Sequence, residues 1–75
     1  MNNIKETVVI ITGAASGIGK ATAQNFISKG AIVYGFDRNK EGLSKVEGLI
    51  PCVADMTDHN TLKKHVSNII DTHGS

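Results

Sequence analysis

The segment Thr7-Val8-Val9-Ile10-Ile11-Thr12 runs straight into Gly13-Ala14-Ala15-Ser16-Gly17-Ile18-Gly19, and that junction limits what the chain can fold into. A β-branched run without polar alternation reads as a strand buried on both faces, the kind that parallel sheets contain. Glycines placed directly after it allow a tight turn and a close approach of the backbone to whatever lies above. A helix is then expected over 18–29, with Ala23, Phe26 and Ile27 on one face and Gly30 at its C-terminal end.

The same pattern comes twice more. A second strand is expected over 31–36, ending at Asp37, followed by a short helix over 40–47 with Leu43 and Val46 inward. Gly42 weakens that helix and Gly48 ends it. The third strand covers 49–54, and Pro51 places its start late or near a sheet edge. Thr57 is suited to cap the last helix, whose apolar stripe is Leu62, Val66, Ile69 and Ile70; Asp58 suits the start of its dipole. Strand–helix order repeated three times implies a parallel sheet with right-handed crossovers. The fold class is therefore α/β: residues 1–75 form part of a Rossmann-type parallel sheet of three βα units. It is incomplete, because a fourth strand is expected just where Gly74-Ser75 ends the sequence.

Composition excludes several functions. With 75 residues, 40% apolar and 20% charged, the chain is an ordinary small globular unit. It can bury only roughly 60% of its unfolded surface, so its stability margin is thin. The net charge is +1 with both signs interspersed, which offers nothing to nucleic acid or an anionic membrane. The longest apolar run, 8–11, is far too short to span a bilayer, and 1–6 lacks the features of a secretory signal. The single Cys52 cannot form an internal disulfide, which fits a cytoplasmic setting.

The glycine segment carries the chemistry. Free backbone N–H groups around Gly17, Ile18 and Gly19 at a helix start can face a pyrophosphate, and Ser16 can add a hydroxyl. Asp37 lies 18 positions after Gly19, close to the ~20 at which an acid meets a ribose in dinucleotide sites. A P-loop is the rival reading, since Gly19-Lys20 looks like its end. That motif needs glycine where Ala14 stands and serine or threonine where Ala21 stands, so it fails.

Thr-Gly-Ala-Ala-Ser-Gly-Ile-Gly at 12–19, with the spacing Gly-x-x-x-Gly-x-Gly, resembles the cofactor loop of the short-chain dehydrogenase/reductase family. Asp55-Met56-Thr57-Asp58 is similar to that family's stretch after its third strand, and the resemblance runs from Thr7 to Gly74. It implies that Gly13, Ser16, Gly17, Ile18 and Gly19 bind the cofactor diphosphate. It further implies that Asp37 holds the adenosine ribose hydroxyls, while Asp55 and the Met56 backbone N–H reach adenine. A carboxylate at 37 and the lack of a basic residue at 16 favour NAD over NADP. Arg38 argues the other way, since a guanidinium there can meet a 2′-phosphate or stack on adenine.

Other residues attract attention without chemistry. His59, His65 and His73 are 6 and 8 positions apart, not the i, i+4 spacing of helical metal ligands, and read as solvated; no metal site is expected. Tyr34 lies in a strand with arginine at position 38, so it does not match the family's catalytic Tyr-x-x-x-Lys and reads as packing. No catalytic residue is assigned: the serine, tyrosine and lysine that the resemblance implies are not in these 75 residues. The expected function is thus the NAD(H)-binding N-terminal segment of an oxidoreductase that moves hydride between nicotinamide and an alcohol or carbonyl. The substrate would be handled only in a full-length chain, as a homo-oligomer. The alternative is a non-catalytic nucleotide-binding or regulatory module that pairs with a full-length relative.

Overall fold

The computed structural model describes residues 7–73. Three parallel strands form one sheet: β1 (Val8–Thr12), β2 (Ile32–Asp37) and β3 (Ile50–Val53), with β2 in the middle. The register pairs Val8 with Ile32 and Thr12 with Phe36 on one side of β2, and Tyr34 with Ile50 and Asp37 with Val53 on the other. Helices α1 (Gly17–Ser28), α2 (Lys40–Ser44) and α3 (His59–His73) alternate with the strands. All three strands therefore present their carboxyl ends at the same edge of the sheet, where ligands of open α/β sheets bind.

Both faces of the sheet are covered. On one, Ile11 and Val33 pack with Ala23 of α1 and with Leu43 and Val46 from and beyond α2. On the other, Phe36 and Cys52 pack with Ala54 and Ile69 of α3. Val33, Phe36 and Leu43 are each 1% exposed, and burial of such side chains contributes about 1.5–3 kcal/mol apiece.

Three expectations need correction. The second helix is shorter than 40–47: α2 ends at Ser44, after which Lys45 and Val46 N–H groups donate to the carbonyls of Gly42 and Leu43. These i→i−3 bonds tighten the chain towards Gly48, at φ 85°, while still burying Val46. The last helix is capped one residue later than expected. Asp58, not Thr57, accepts the Thr61 N–H through Oδ1 at 3.2 Å and the Thr61 hydroxyl through Oδ2 at 2.7 Å. Finally, two of the histidines are not simply solvated. The His73 ring nitrogen Nε2 lies 2.8 Å from the Tyr34 hydroxyl, and His65 packs edge-to-face on Phe36 at 5.3 Å. Their i, i+8 spacing on α3 turns both rings toward β2, so they fasten the helix to the sheet; His59 is exposed.

β1 is also less enclosed than its composition implies. Among the described strands it pairs only with β2, and Ile10 is 43% exposed on its outer part. Val66 and Ile70 of α3 are likewise 37% and 46% exposed. A β-branched edge with no charge or proline to blunt it is a template for pairing with another chain. The 75-residue chain is expected to associate at micromolar concentration, and Ile10→Lys to shift it toward monomer. Sedimentation equilibrium on both chains checks this; a wild-type monomer with a cooperative melt would contradict it.

Candidate cofactor-binding site

Tight backbone stitching builds the glycine loop. The N–H groups of Gly13 and Ala14 both donate to the Phe36 carbonyl, at 2.8 and 3.3 Å, so the loop departs from β1 already tied to the end of β2. Ala14 and Ala15, 0% and 8% exposed, press into the core, whereas Gly13, Ser16, Gly17 and Ile18 face solvent. The loop is thus held from beneath and open above.

Each glycine answers a different demand. Gly17 starts α1 at φ 58°, a left-handed backbone with no atom near its missing side chain. Gly19 is needed for space: a Cβ there would lie against the Gly13 carbonyl, 2.7 Å from its carbon. Helix α1 can sit this close to the loop only without that methyl. Ser16 precedes the helix in extended backbone, and its hydroxyl makes no capping bond. The first intrahelical bond is Lys20 N–H to the Ser16 carbonyl, which leaves the N–H groups of the first turn without intrahelical acceptors. No acidic side chain lies in that turn, so the positive end of the helix dipole is not offset.

Asp37, half-buried at the tip of β2, is turned toward this loop. Its Oδ2 accepts the Ala15 N–H at 3.2 Å and its Oδ1 accepts the Asn39 N–H at 3.0 Å. Its own carbonyl accepts the Ala54 N–H at 3.0 Å, joining the end of β3. One residue thereby gathers the three loops at the carboxyl edge of the sheet. Each carboxylate oxygen has a second lone-pair direction for a hydroxyl donor.

The remaining residues form a looser group. Arg38 is exposed, with Nη1 3.8 Å from Oδ2 of Asp55. The Thr57 N–H and hydroxyl donate to Asp55 Oδ1 at 2.9 and 2.7 Å, and these bonds, with a smaller contribution from Arg38, hold the Asp55 carboxyl below the usual carboxylate range. Asp58 is lowered in the same direction, by the Thr61 hydroxyl and then the Thr61 N–H. Such depressed carboxyls add stability above their unfolded value, which is lost as pH falls through the folded one. Met56 packs its side chain against the cluster of Phe36, Cys52 and Ile69.

Three contributors lie outside the residues expected from the sequence: the Ala15 amide, Asn39 and Gly35. A Cβ on Gly35 would come within 2.8 Å of the Ala14 methyl and nearer still to the Leu49 methyls, so this strand glycine lets the loop rest on β2. Asn39, whose Oδ1 caps the Gly42 N–H at 2.9 Å, carried a readable signal as a helix-capping residue. Among the described residues no group of three potential metal ligands comes together, and no helix is long and apolar enough to cross a membrane.

A parallel sheet whose first strand opens through bare amides onto a helix, with an acid at the next strand's tip, defines a Rossmann-type nucleotide-binding unit. Comparison with known proteins makes this specific. Residues 7–75 match the short chain dehydrogenase family, and the chain belongs to that family; what is present is its N-terminal, cofactor-binding portion. It is 41% identical over 75 residues to a 3-oxoacyl-[acyl-carrier-protein] reductase of Thermotoga maritima, covering 89% of this chain and 30% of that one. A 3-ketoacyl-(acyl-carrier-protein) reductase from Brucella melitensis, solved with NADH, superposes with TM-score 0.83 at 28% identity, over 96% of this chain and 32% of that one. A metagenomic short-chain oxidoreductase solved with NADP gives 0.88 at 26% identity, over 97% and 37%. The chain therefore spans about a third of the length of these relatives, and its family uses nicotinamide dinucleotides.

Proposed function

We propose that the chain binds the ADP-ribose half of NAD, and that it serves a short-chain oxidoreductase acting on an alcohol or carbonyl. The observation that carries this reading is the aim of Asp37: one oxygen of its half-buried carboxylate is turned onto the Ala15 N–H of the glycine loop. The amides of 17–19 and the Ser16 hydroxyl would receive the diphosphate, and Asp37 the adenosine ribose. Gly13 would keep the loop low, with Ile18 over the diphosphate. Arg38, Asp55 and Met56 would border adenine.

Preference for NAD rests on charge. A 2′-phosphate would sit against the Asp37 carboxylate, and the neighbouring Arg38 guanidinium is drawn toward Asp55 instead. That exposed pair is worth only about 0–1 kcal/mol, so Asp37 decides the preference. Nicotinamide, when bound, supplies the hydride; the residues here hold and orient the far end of the cofactor. Tyr34, engaged with His73 in the body of the sheet, lies away from this edge and takes no part. A cytoplasmic protein is part of the same reading, supported by the free, buried Cys52; a homo-oligomer is proposed with it.

Calorimetric titration with ADP-ribose, NAD and NADP tests the proposal. ADP-ribose and NAD should bind, and NADP about tenfold or more weakly, a difference of roughly 1.4 kcal/mol. Folded protein that takes up none of them would falsify the assignment. Equal affinity for NAD and NADP would remove the role given to Asp37.

A further inference from the structure

We propose that the first turn of α2 is the seat of the glycine loop, and that Gly42, a residue not expected to touch the cofactor, sets the loop's position. The inference rests on the cofactor reading above and goes further by naming a positioning residue for it.

The contacts converge from two sides. A Cβ built on Gly42 would lie 2.8 Å from the Ala15 methyl and 2.8 Å from Nδ2 of Asn39. The loop thus rests directly on the α2 backbone. Three neighbours leave that turn little room to withdraw. Leu43, 1% exposed, anchors it in the cluster that also contains Ala15. Asn39 accepts the Gly42 N–H through Oδ1, at 2.9 Å. Asp37 ties both ends together, taking the Ala15 N–H on one oxygen and the Asn39 N–H on the other. A methyl at position 42 must therefore push Ala15 outward or dislodge the Asn39 cap. Because Ser16 and Gly17 on the far side of the loop face solvent, the loop is the part free to yield. Amides that must converge on a diphosphate would then be displaced together.

Gly42→Ala, Ala15→Gly and the double variant, titrated with ADP-ribose alongside the wild-type chain, test this. Gly42→Ala should weaken binding about tenfold, as a methyl forced into filled space does. Alanine favours a helix over glycine, so affinity lost without a fall in melting temperature cannot come from a weakened α2. Adding Ala15→Gly removes the opposing methyl and should restore most of the affinity. Should Gly42→Ala fail to fold, the double variant decides: recovered binding supports the seat and continued loss overturns it. Wild-type binding that Gly42→Ala leaves within about twofold overturns the seat alone. No binding by folded wild-type protein overturns the cofactor reading and the seat with it.

Discussion

Gly19→Ala should abolish ADP-ribose binding and lower the melting temperature of the chain by more than any other single methyl added to the loop. The added Cβ meets backbone, the Gly13 carbonyl carbon at 2.7 Å and the Thr12 carbonyl oxygen at 3.2 Å, and backbone cannot rotate away as a side chain does. Overpacking of this kind costs about 1–3 kcal/mol. At roughly 0.05–0.15 kcal/mol per residue, the whole stability of a 75-residue chain is about 4–11 kcal/mol, so this cost takes a sizeable part of it. Relief requires either α1 or the 12–13 segment to move, and either movement turns the first-turn amides away from a common point. Gly17→Ala is the useful contrast. Its site has open space but φ 58°, so strain of about 1–2 kcal/mol arises without displacement of α1. Circular dichroism melts with calorimetric titrations should rank Gly19→Ala well below Gly17→Ala. The reverse order would mean that α1 does not lie on the loop as described.

Asp37→Ala should weaken NAD binding by about a hundredfold and bring NAD and NADP to similar affinity. Two effects add. The carboxylate accepts two backbone N–H groups, Ala15 on one oxygen and Asn39 on the other, and hydrogen bonds to a charged group contribute about 1.5–3 kcal/mol each before exposure to solvent reduces them. Alanine leaves both donors without that acceptor and removes one of the ties between the loop and β2, leaving the Gly13 and Ala14 N–H bonds to the Phe36 carbonyl. It also removes the acid proposed to hold the ribose and repel a 2′-phosphate. Asp37→Asn separates the two: an amide has a single acceptor oxygen, so one of the two backbone bonds can survive and binding should fall between wild type and Asp37→Ala. NAD affinity in Asp37→Ala equal to that of wild type would place the ribose elsewhere.

Much of this site could be read from residue order alone. The β-branched run, the glycines at 13, 17 and 19 and the acid at 37 announce a strand, a turn, a helix and a second strand tip, because each depends on neighbours a few positions away. The Asn39 cap and the positive φ of Gly30 after α1 belong to the same local class. The length of α2 did not follow as well. Its periodicity runs on to Glu47, but the chain is pulled round at Lys45 by the need to bury Val46 and reach β3. The histidines of α3 misled for a related reason. A half-polar ring on a helix reads as solvated until the helix is laid on a sheet, where His65 finds Phe36 and His73 finds the Tyr34 hydroxyl.

Local sequence, then, determined the kinds of elements, their order and the residues able to grip a diphosphate and a sugar. Backbone propensity, side-chain period and glycine's lack of a Cβ act over a few residues and need no partner. Only the tertiary structure decided that the Asp37 carboxylate closes onto the Ala15 amide and that Gly42 lies beneath the loop. Those facts depend on distances between segments more than twenty positions apart, which packing of the two apolar clusters on either face of the sheet sets, and residue order alone does not.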